Sequence, residues 1–311
     1  MENKKKALIL LNMGGARNKN ELKMFLTNMF NDENILTIKS SFIRKIIAFL
    51  IVNRRLNEAW KNYELIGNCS PINPLTEKLV EKCNEKIEDF KTYQVMRYTP
   101  PFAKDVIENL KKDGIEEILL LPLYPQYSTT TTKSSLEDFI KFAKNSFKIK
   151  SINDFYRNDK FNSCIVDEIQ RIQEGKDDFN LIFSAHGLPQ KIVDNGDPYE
   201  KQMIEHVQIL SQKLKDKNIN FKSINLAYQS KVGPLKWLEP SLEDMLKNFK
   251  GEKVIIYPLS FIVDNSETTF ELDIEYRHIS QDLGILDYKV CKCVNYNDNF
   301  IDAIKDIIDK N

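Results

Sequence analysis

Several things are scarce in this chain of 311 residues. It has five cysteines, Cys69, Cys83, Cys164, Cys291 and Cys293. An odd count without paired spacing argues against a disulfide framework and for a reducing compartment. Cys291 and Cys293 are too few for an iron–sulfur site by themselves. No apolar run is long enough to span a bilayer; the most apolar stretch extends only from Phe42 to Val52. Neither sign of charge is in surplus, with 45 Lys and Arg against 45 Asp and Glu. That balance removes any bulk pull toward nucleic acid or an anionic membrane. Histidine occurs three times. There is no Gly-x-Gly-x-x-Gly and no phosphate loop, so nucleotide chemistry has little support. The basic N-terminus turns into a short apolar run with no small-residue cleavage pattern, which reads as a first strand rather than a signal peptide.

What is present is an alternation of short apolar runs and longer amphipathic stretches. Strands are expected at Ala7–Leu11, Tyr93–Met96, Ile118–Leu121, Leu181–Phe183, Ser223–Leu226 and Val254–Tyr257. Helical patterns lie between them, for example Leu75–Ile87, Lys104–Lys112, Ser134–Phe142 and Tyr199–Leu214. Such alternation implies right-handed crossovers and a mostly parallel sheet. The two halves also resemble each other. LILLNMGG opens the first and LIFSAHGL the second, placing Met13 opposite His186, and Pro122-Leu123 aligns with Pro258-Leu259. The expected architecture is α/β: two Rossmann-like domains, each a parallel sheet flanked by helices, with an active-site cleft between them. The first should cover residues 1–149 and the second 150–311, ending in a helix over Asn299–Asp309. Ligands of such sheets sit beyond the carboxyl ends of the strands, where the unusual clusters of this sequence also fall.

Five clusters stand out. Asn12-Met13-Gly14-Gly15 follows a strand, and its glycines suit a tight turn or a close backbone approach. Arg97-Tyr98-Thr99-Pro100-Pro101 follows another; its arginine is either a carboxylate clamp or a surface residue. In Leu121–Thr132 the prolines give a rigid exit and the hydroxyl run offers an N-cap for the helix near Ser134. His186 stands between an apolar strand and a glycine, where imidazole can take a proton or bind a borderline metal. His206 and His278 lie in charged helical contexts and read as surface residues. Finally, Glu267, Glu271 and Glu275 are spaced by four, which sets three like charges along one helix face. An exposed acidic face is the plain account. A path for protons or a cation is the sharper one, because clustered carboxylates raise one another's pKa.

LLNMGG, the MRY turn, LPLYPQYSTTTT, SAHGLP, YQSKVGPLKWL and PLSFIVDNSETTFELDIEY together resemble the ferrochelatase family, from about Lys6 to about Lys310. The resemblance implies a chelatase-type pair of domains and insertion of ferrous iron into protoporphyrin IX. Protohaem would form with release of two protons, as the last step of haem biosynthesis. It implies that His186 is the active-site histidine, as metal ligand or proton acceptor, with Glu267 as its partner. Glu271 and Glu275 would extend a proton or metal relay, and Met13, Arg97, Tyr98, Tyr124 and Trp237 would line the porphyrin pocket. Asn-Met at Asn12-Met13 matches the protoporphyrin branch, whereas the coproporphyrin branch usually has tyrosine at the second place. Many members carry histidine where this chain has Asn265, so a relay through that position is not expected. The proline often found after the glycine pair is also missing.

No resident cofactor and no iron–sulfur cluster are expected, the C-terminus lacking a cysteine-bearing tail; iron is substrate. The expected partners are porphyrin and iron, without nucleic acid. A monomer is expected, cytoplasmic or peripheral at the inner face of the membrane. Phe42–Val52 is either a buried helix or a lip that meets an anionic membrane through Arg44, Lys45, Arg54 and Arg55. The rivals are a coproporphyrin ferrochelatase, a cobalt or nickel chelatase acting on another tetrapyrrole, and a non-catalytic porphyrin-binding protein.

Overall fold

A computed structural model describes residues 5–231 and 233–311. Residues 1–4 and Val232, the latter inside the YQSKVGP motif, lie outside the described set. The chain forms two compact units. One runs to Tyr124 and resumes over Ser128–Asp154; the other comprises Pro125–Tyr127 and Phe155–Asn311.

In the first unit, β1 (Lys6–Asn12), β2 (Lys91–Met96), β3 (Glu117–Pro122) and β4 (Lys148–Ser151) form a parallel sheet in the order β2-β1-β3-β4. Its helices are α1 (Lys19–Asn31), α2 (Ser41–Leu65), α3 (Ile72–Lys86), α4 (Ala103–Lys112) and α5 (Ser134–Ala143). The central β1 is buried from Ala7 to Asn12, as expected of a strand covered on both faces. One core cluster joins Ile9, Leu11, Leu120, Leu110 and Phe139. The hydroxyl run does not cap α5. Ser128 instead caps a π-helical turn over Thr129–Lys133, accepting from the Thr130 N–H, and that turn runs straight into α5.

The second unit repeats the plan with β5 (Phe179–His186), β6 (Ser223–Gln229), β7 (Lys253–Pro258) and β8 (Asp287–Val290), all parallel, in the order β6-β5-β7-β8. Its helices are α6 (Asp159–Gln173), α7 (Gln190–Asp194), α8 (Tyr199–Asp216), α9 (Leu242–Leu246), α10 (Tyr276–Asp282) and α11 (Asp298–Asp309). The last of these packs on α6, with Phe300 against Phe161 and Asn158 donating to Asp306. The pairing of the halves read from sequence holds in the register. Leu11 pairs with Pro122 and Ser184 with Pro258, so Met13 and His186 each stand two residues beyond the proline partner.

His206 corrects the expectation of a surface residue. It is fully buried, on the inward stripe of α8 with Met203 and Leu210, between the rings of Tyr156 and Phe161. Its Nδ1 meets Gln126 Nε2 at 2.7 Å and its Nε2 meets Asn162 Oδ1 at 2.8 Å. An amide donor on one side and an amide acceptor on the other assign the neutral Nε2–H tautomer. Burial lowers its pKa to about 3. The unfolded histidine binds a proton near pH 6.5 while the folded one does not, so stability is lost as the pH falls below that value. By about pH 4 the loss should reach about 3 kcal/mol. Thermal unfolding between roughly pH 7 and pH 4 should therefore fall more steeply for the wild type than for His206→Gln; equal slopes would contradict the assignment. His278 is exposed, as expected.

Candidate active site

In the second unit the chain leaves β5 for β6 on one side and returns to β7 on the other, so the strand order reverses at β5. The loops after β5 and β7 flank this switch point, where open α/β sheets bind their ligands. His186 ends β5. Its backbone is pinned twice: its N–H donates to Ser260 Oγ at 2.6 Å and its carbonyl accepts from the Tyr199 hydroxyl at 2.9 Å. The imidazole remains 37% exposed, and its Nδ1 lies 2.9 Å from Glu267 Oε2. Glu267 therefore claims Nδ1–H and leaves the Nε2 lone pair free when the ring is neutral.

Glu267 opens a π-helical segment over Glu267–Glu275 that continues into α10. Such wide turns are rare and occur frequently at functional sites. Glu271 follows on the same side. It accepts from the Ser230 N–H at 2.7 Å and from Ser230 Oγ at 2.5 Å, and that hydroxyl also lies 3.2 Å from Glu267 Oε2. One serine thus spans both carboxylates. Gln229 adds a second support, donating to Glu271 at 3.3 Å while accepting from Ser184 at 2.7 Å. Glu275 is exposed, so the convergence on His186 involves the first two carboxylates.

The charges settle accordingly. Burial disfavours the imidazolium, but the Glu267 and Glu271 carboxylates outweigh it and hold His186 above the ordinary histidine range. Burial also opposes ionisation of Glu267, but the His186 ring and the Ser230 hydroxyl outweigh it and keep that carboxyl below its usual range. Glu271 is pushed up to about 7 by burial and by the charge on Glu267. One carboxyl is thus held ionised, and its neighbour exchanges protons near neutrality.

Trp237 lies beside this group. Its Cε3 would stand 3.3 Å from a Cβ at position 187, and the Gln229 carbonyl would stand 2.8 Å away, so only glycine fits at Gly187. Hydrogen bonds from Leu238 to Leu188 and from Gln190 to Lys236 hold the tryptophan loop along the strand exit.

The other residues named from sequence belong to the first unit. Met13 is half-buried just past β1. Gly14, at φ +83°, and Gly15 are packed so closely against Thr99 and Ser70 that a Cβ would come within 2.2 Å and 2.6 Å of their side chains. The glycine pair is thus a steric requirement of the turn. Arg97 is neither a bare surface residue nor an unoccupied clamp. It donates from Nε to Ser134 at 2.9 Å and from Nη2 to Asp32 at 3.0 Å, and its Nη1 lies 3.3 Å from Asp138. Tyr98 is buried and donates to the same Asp32 oxygen at 3.0 Å; Ser134 donates there too. Tyr124 is buried with its hydroxyl 3.3 Å from Ser135 Oγ.

Several of these partners were not singled out from sequence. Gln229 and Ser230 lay inside the YQSKVGP motif, but nothing in the chain marks which of its residues meets the acidic helix. Tyr199, Ser260 and Asp32 act through contacts between residues distant in sequence, for which the sequence carries no local sign. Among the described residues, no group of three or more His, Cys, Asp or Glu side chains is placed to hold a metal.

Twin parallel sheets with a histidine–carboxylate pair at the switch point of one define a chelatase-type α/β protein. SirB from Bacillus subtilis, solved with Fe3+, shares the fold at a TM-score of 0.59 and 11% identity, over 98% of this chain and 95% of that one. The cobalt complex of the sirohydrochlorin chelatase SirB from Bacillus subtilis subspecies spizizenii gives 0.60 at 10% identity, over 98% and 94%. The sequence is more specific: residues 5–311 match the ferrochelatase family, and the chain belongs to it. A ferrochelatase of a Nitratiruptor species is 48% identical over 97% of this chain and 98% of the relative. That of Sulfurimonas denitrificans is 49% identical over 99% of each. Members of this family are lyases that insert metal into porphyrin, and iron and porphyrin are the corresponding substrates.

Proposed function

We propose that this chain inserts ferrous iron into protoporphyrin IX, yielding protohaem and two protons as the last step of haem biosynthesis. The observation that carries the reading is the 2.9 Å contact between His186 Nδ1 and Glu267, with Glu271 joined to the pair through Ser230. Two pyrrole N–H protons must leave as the metal enters. His186 Nε2 is open to receive one, Glu267 stabilises the resulting imidazolium, and Glu271 takes up protons near neutral pH. His186 and Glu267 also supply nitrogen and oxygen donors suited to ferrous iron in transit. Iron is substrate in this reading, and the reaction draws on no further cofactor. Met13, Arg97, Tyr98, Tyr124 and Trp237 are the residues proposed to meet the porphyrin.

The test is an anaerobic assay of the purified protein with ferrous iron and either protoporphyrin or coproporphyrin. Turnover on protoporphyrin is expected. Preference for coproporphyrin would replace the substrate assignment, and insertion into neither would sink the reading. Met13→Tyr should lower the ratio of protoporphyrin to coproporphyrin turnover, because a phenol changes both volume and polarity beside the macrocycle. An unchanged ratio would remove Met13 from the pocket.

A specific observation also favours a peripheral membrane contact at the inner face of the cytoplasmic membrane. No helix among the described residues is long and apolar enough to cross a membrane. Yet the Phe42–Val52 stretch is not a buried helix: within α2, Phe42 is 72% exposed, Phe49 63% and Leu50 61%. Lys45 and Arg54 are exposed beside them, and no acidic residue occurs between Ser41 and Asn57. An apolar face edged only by cations suits an anionic lipid surface. The protein should co-sediment with vesicles containing anionic lipid, and Phe49→Ser with Leu50→Ser should abolish this; retention by the double variant would rule out α2 as the contact.

A further inference from the structure

Asn265 is 1% exposed, so its side chain is sealed in the loop after β7. Its Oδ1 accepts from the Glu267 N–H at 2.7 Å, and its Nδ2 donates to the Val263 carbonyl at 3.3 Å. Its own N–H donates to Thr268 Oγ1 at 3.0 Å. This is an Asx turn whose second arm is the first residue of the π-helical segment. The loop is braced from the far side as well. The Asp264 N–H donates to Asn295 Oδ1 at 2.9 Å, and the Asp264 carboxylate accepts from Asn295 Nδ2 at 2.7 Å and the Cys293 N–H at 3.1 Å. Both of these side-chain bonds of Asn265 are thus spent within its own loop, on the backbone that presents Glu267.

We propose that Asn265 is a positioning residue: its side-chain oxygen fixes the start of the π-helical segment so that the Glu267 carboxylate meets His186 Nδ1. The inference rests on the reading that His186 and Glu267 carry metal insertion. It assigns this position a role that needs an oxygen acceptor and no titration. A displaced Glu267 would release His186 Nδ1 and let the neutral ring sample both tautomers, whereas the bond observed selects Nδ1–H.

The test compares Asn265→Ala, Asn265→Ser and Asn265→His with the wild type. Serine is neutral and can accept from the same N–H, as it does at helix N-caps. Two quantities are read: kcat and KM for iron insertion, and the His186 tautomer from long-range 1H–15N spectra of the protein without porphyrin or metal, at a pH where imidazole is neutral. With three histidines in the chain, the imidazole signals are few enough to assign. Asn265→Ala should lower kcat by about 10- to 100-fold, as misplacement of a reacting group by an ångström does, with KM nearly unchanged. Its His186 should become a mixture of tautomers. Asn265→Ser should restore most of kcat and the Nδ1–H form. Asn265→His should behave like alanine, because an imidazole does not fit a sealed Asx turn. Unchanged kcat and tautomer in Asn265→Ala would overturn the proposal, as would serine as damaging as alanine or a histidine variant that outperforms the wild type. A wild type that inserts no iron would overturn the functional reading instead, and the tautomer comparison would still decide the positioning role.

Discussion

A His186→Ala variant is expected to fold normally and to insert no measurable iron. The side chain ends a strand at the switch point, and over a third of it faces outward. Its backbone bonds to Ser260 and Tyr199 do not involve the ring, so removing the imidazole leaves them in place. A general base alone contributes roughly 10²–10⁴-fold. Loss of the proposed metal donor and of the countercharge for Glu267 adds to that. Circular dichroism and thermal unfolding should match the wild type while turnover falls to background. A folded His186→Ala protein with near-normal turnover would refute the role of the histidine.

Glu267→Gln is expected to have the second-largest effect: turnover falls while porphyrin affinity moves little. Glutamine keeps the size of the side chain and can still bond to Ser230 and His186, so packing survives. It cannot carry a negative charge, and it is a weaker donor to a divalent cation. His186 would lose the charge that holds it above the ordinary histidine range, so its imidazolium would form less readily. Glu271→Gln should also reduce turnover, because the group poised near neutrality would no longer exchange protons. Glu275→Gln should do least, since Glu275 is exposed beyond the His186 group. Turnover measured beside quenching of porphyrin fluorescence separates the possibilities. Full activity in all three variants would reduce the acidic segment to a solvated face.

The central strands were legible because both their faces are covered. ALILLN, EILLLP, NLIFSA and KVIIYP each supply an apolar run with little alternation. The edge strands β4 and β8 were not. KIKS and DYKV bury little, so nothing in their composition separates them from loop. The ends of the central strands singled out His186 and Met13 as candidates, since sheets of this kind bind ligands there, and the structure sets His186 at the end of β5 and Met13 just past β1. The four-residue spacing located Glu267 and Glu271, but the exposure of Glu275 depends on where α10 takes over from the wider turn. The charged neighbours of His206 suggest a surface residue, but the ring is buried. The spacing Tyr199, Met203, His206, Leu210, Leu214 is an inward helical stripe, a stronger sign of burial than the charges beside the ring. The Asp32 cluster had no such marker. A buried carboxylate shared by Arg97, Tyr98 and Ser134 is visible only once the chain is folded.

The short segment Pro125–Tyr127 has a consequence for any attempt to divide the molecule. It interrupts the first unit in sequence, yet its bonds lie with the second: Gln126 to His206, the Tyr127 N–H to Gln202, and the Pro125 carbonyl to the Phe155 and Tyr156 N–H groups. A chain ended after Asp154 would carry Gln126 with its histidine partner gone. A chain begun at Phe155 would leave the buried Nδ1 of His206 without its donor, at a cost of about 1–3 kcal/mol. The two halves have the same plan, but a cut in sequence between Asp154 and Phe155 would not follow the boundary of the folded units, because three residues from the earlier stretch are built into the later one.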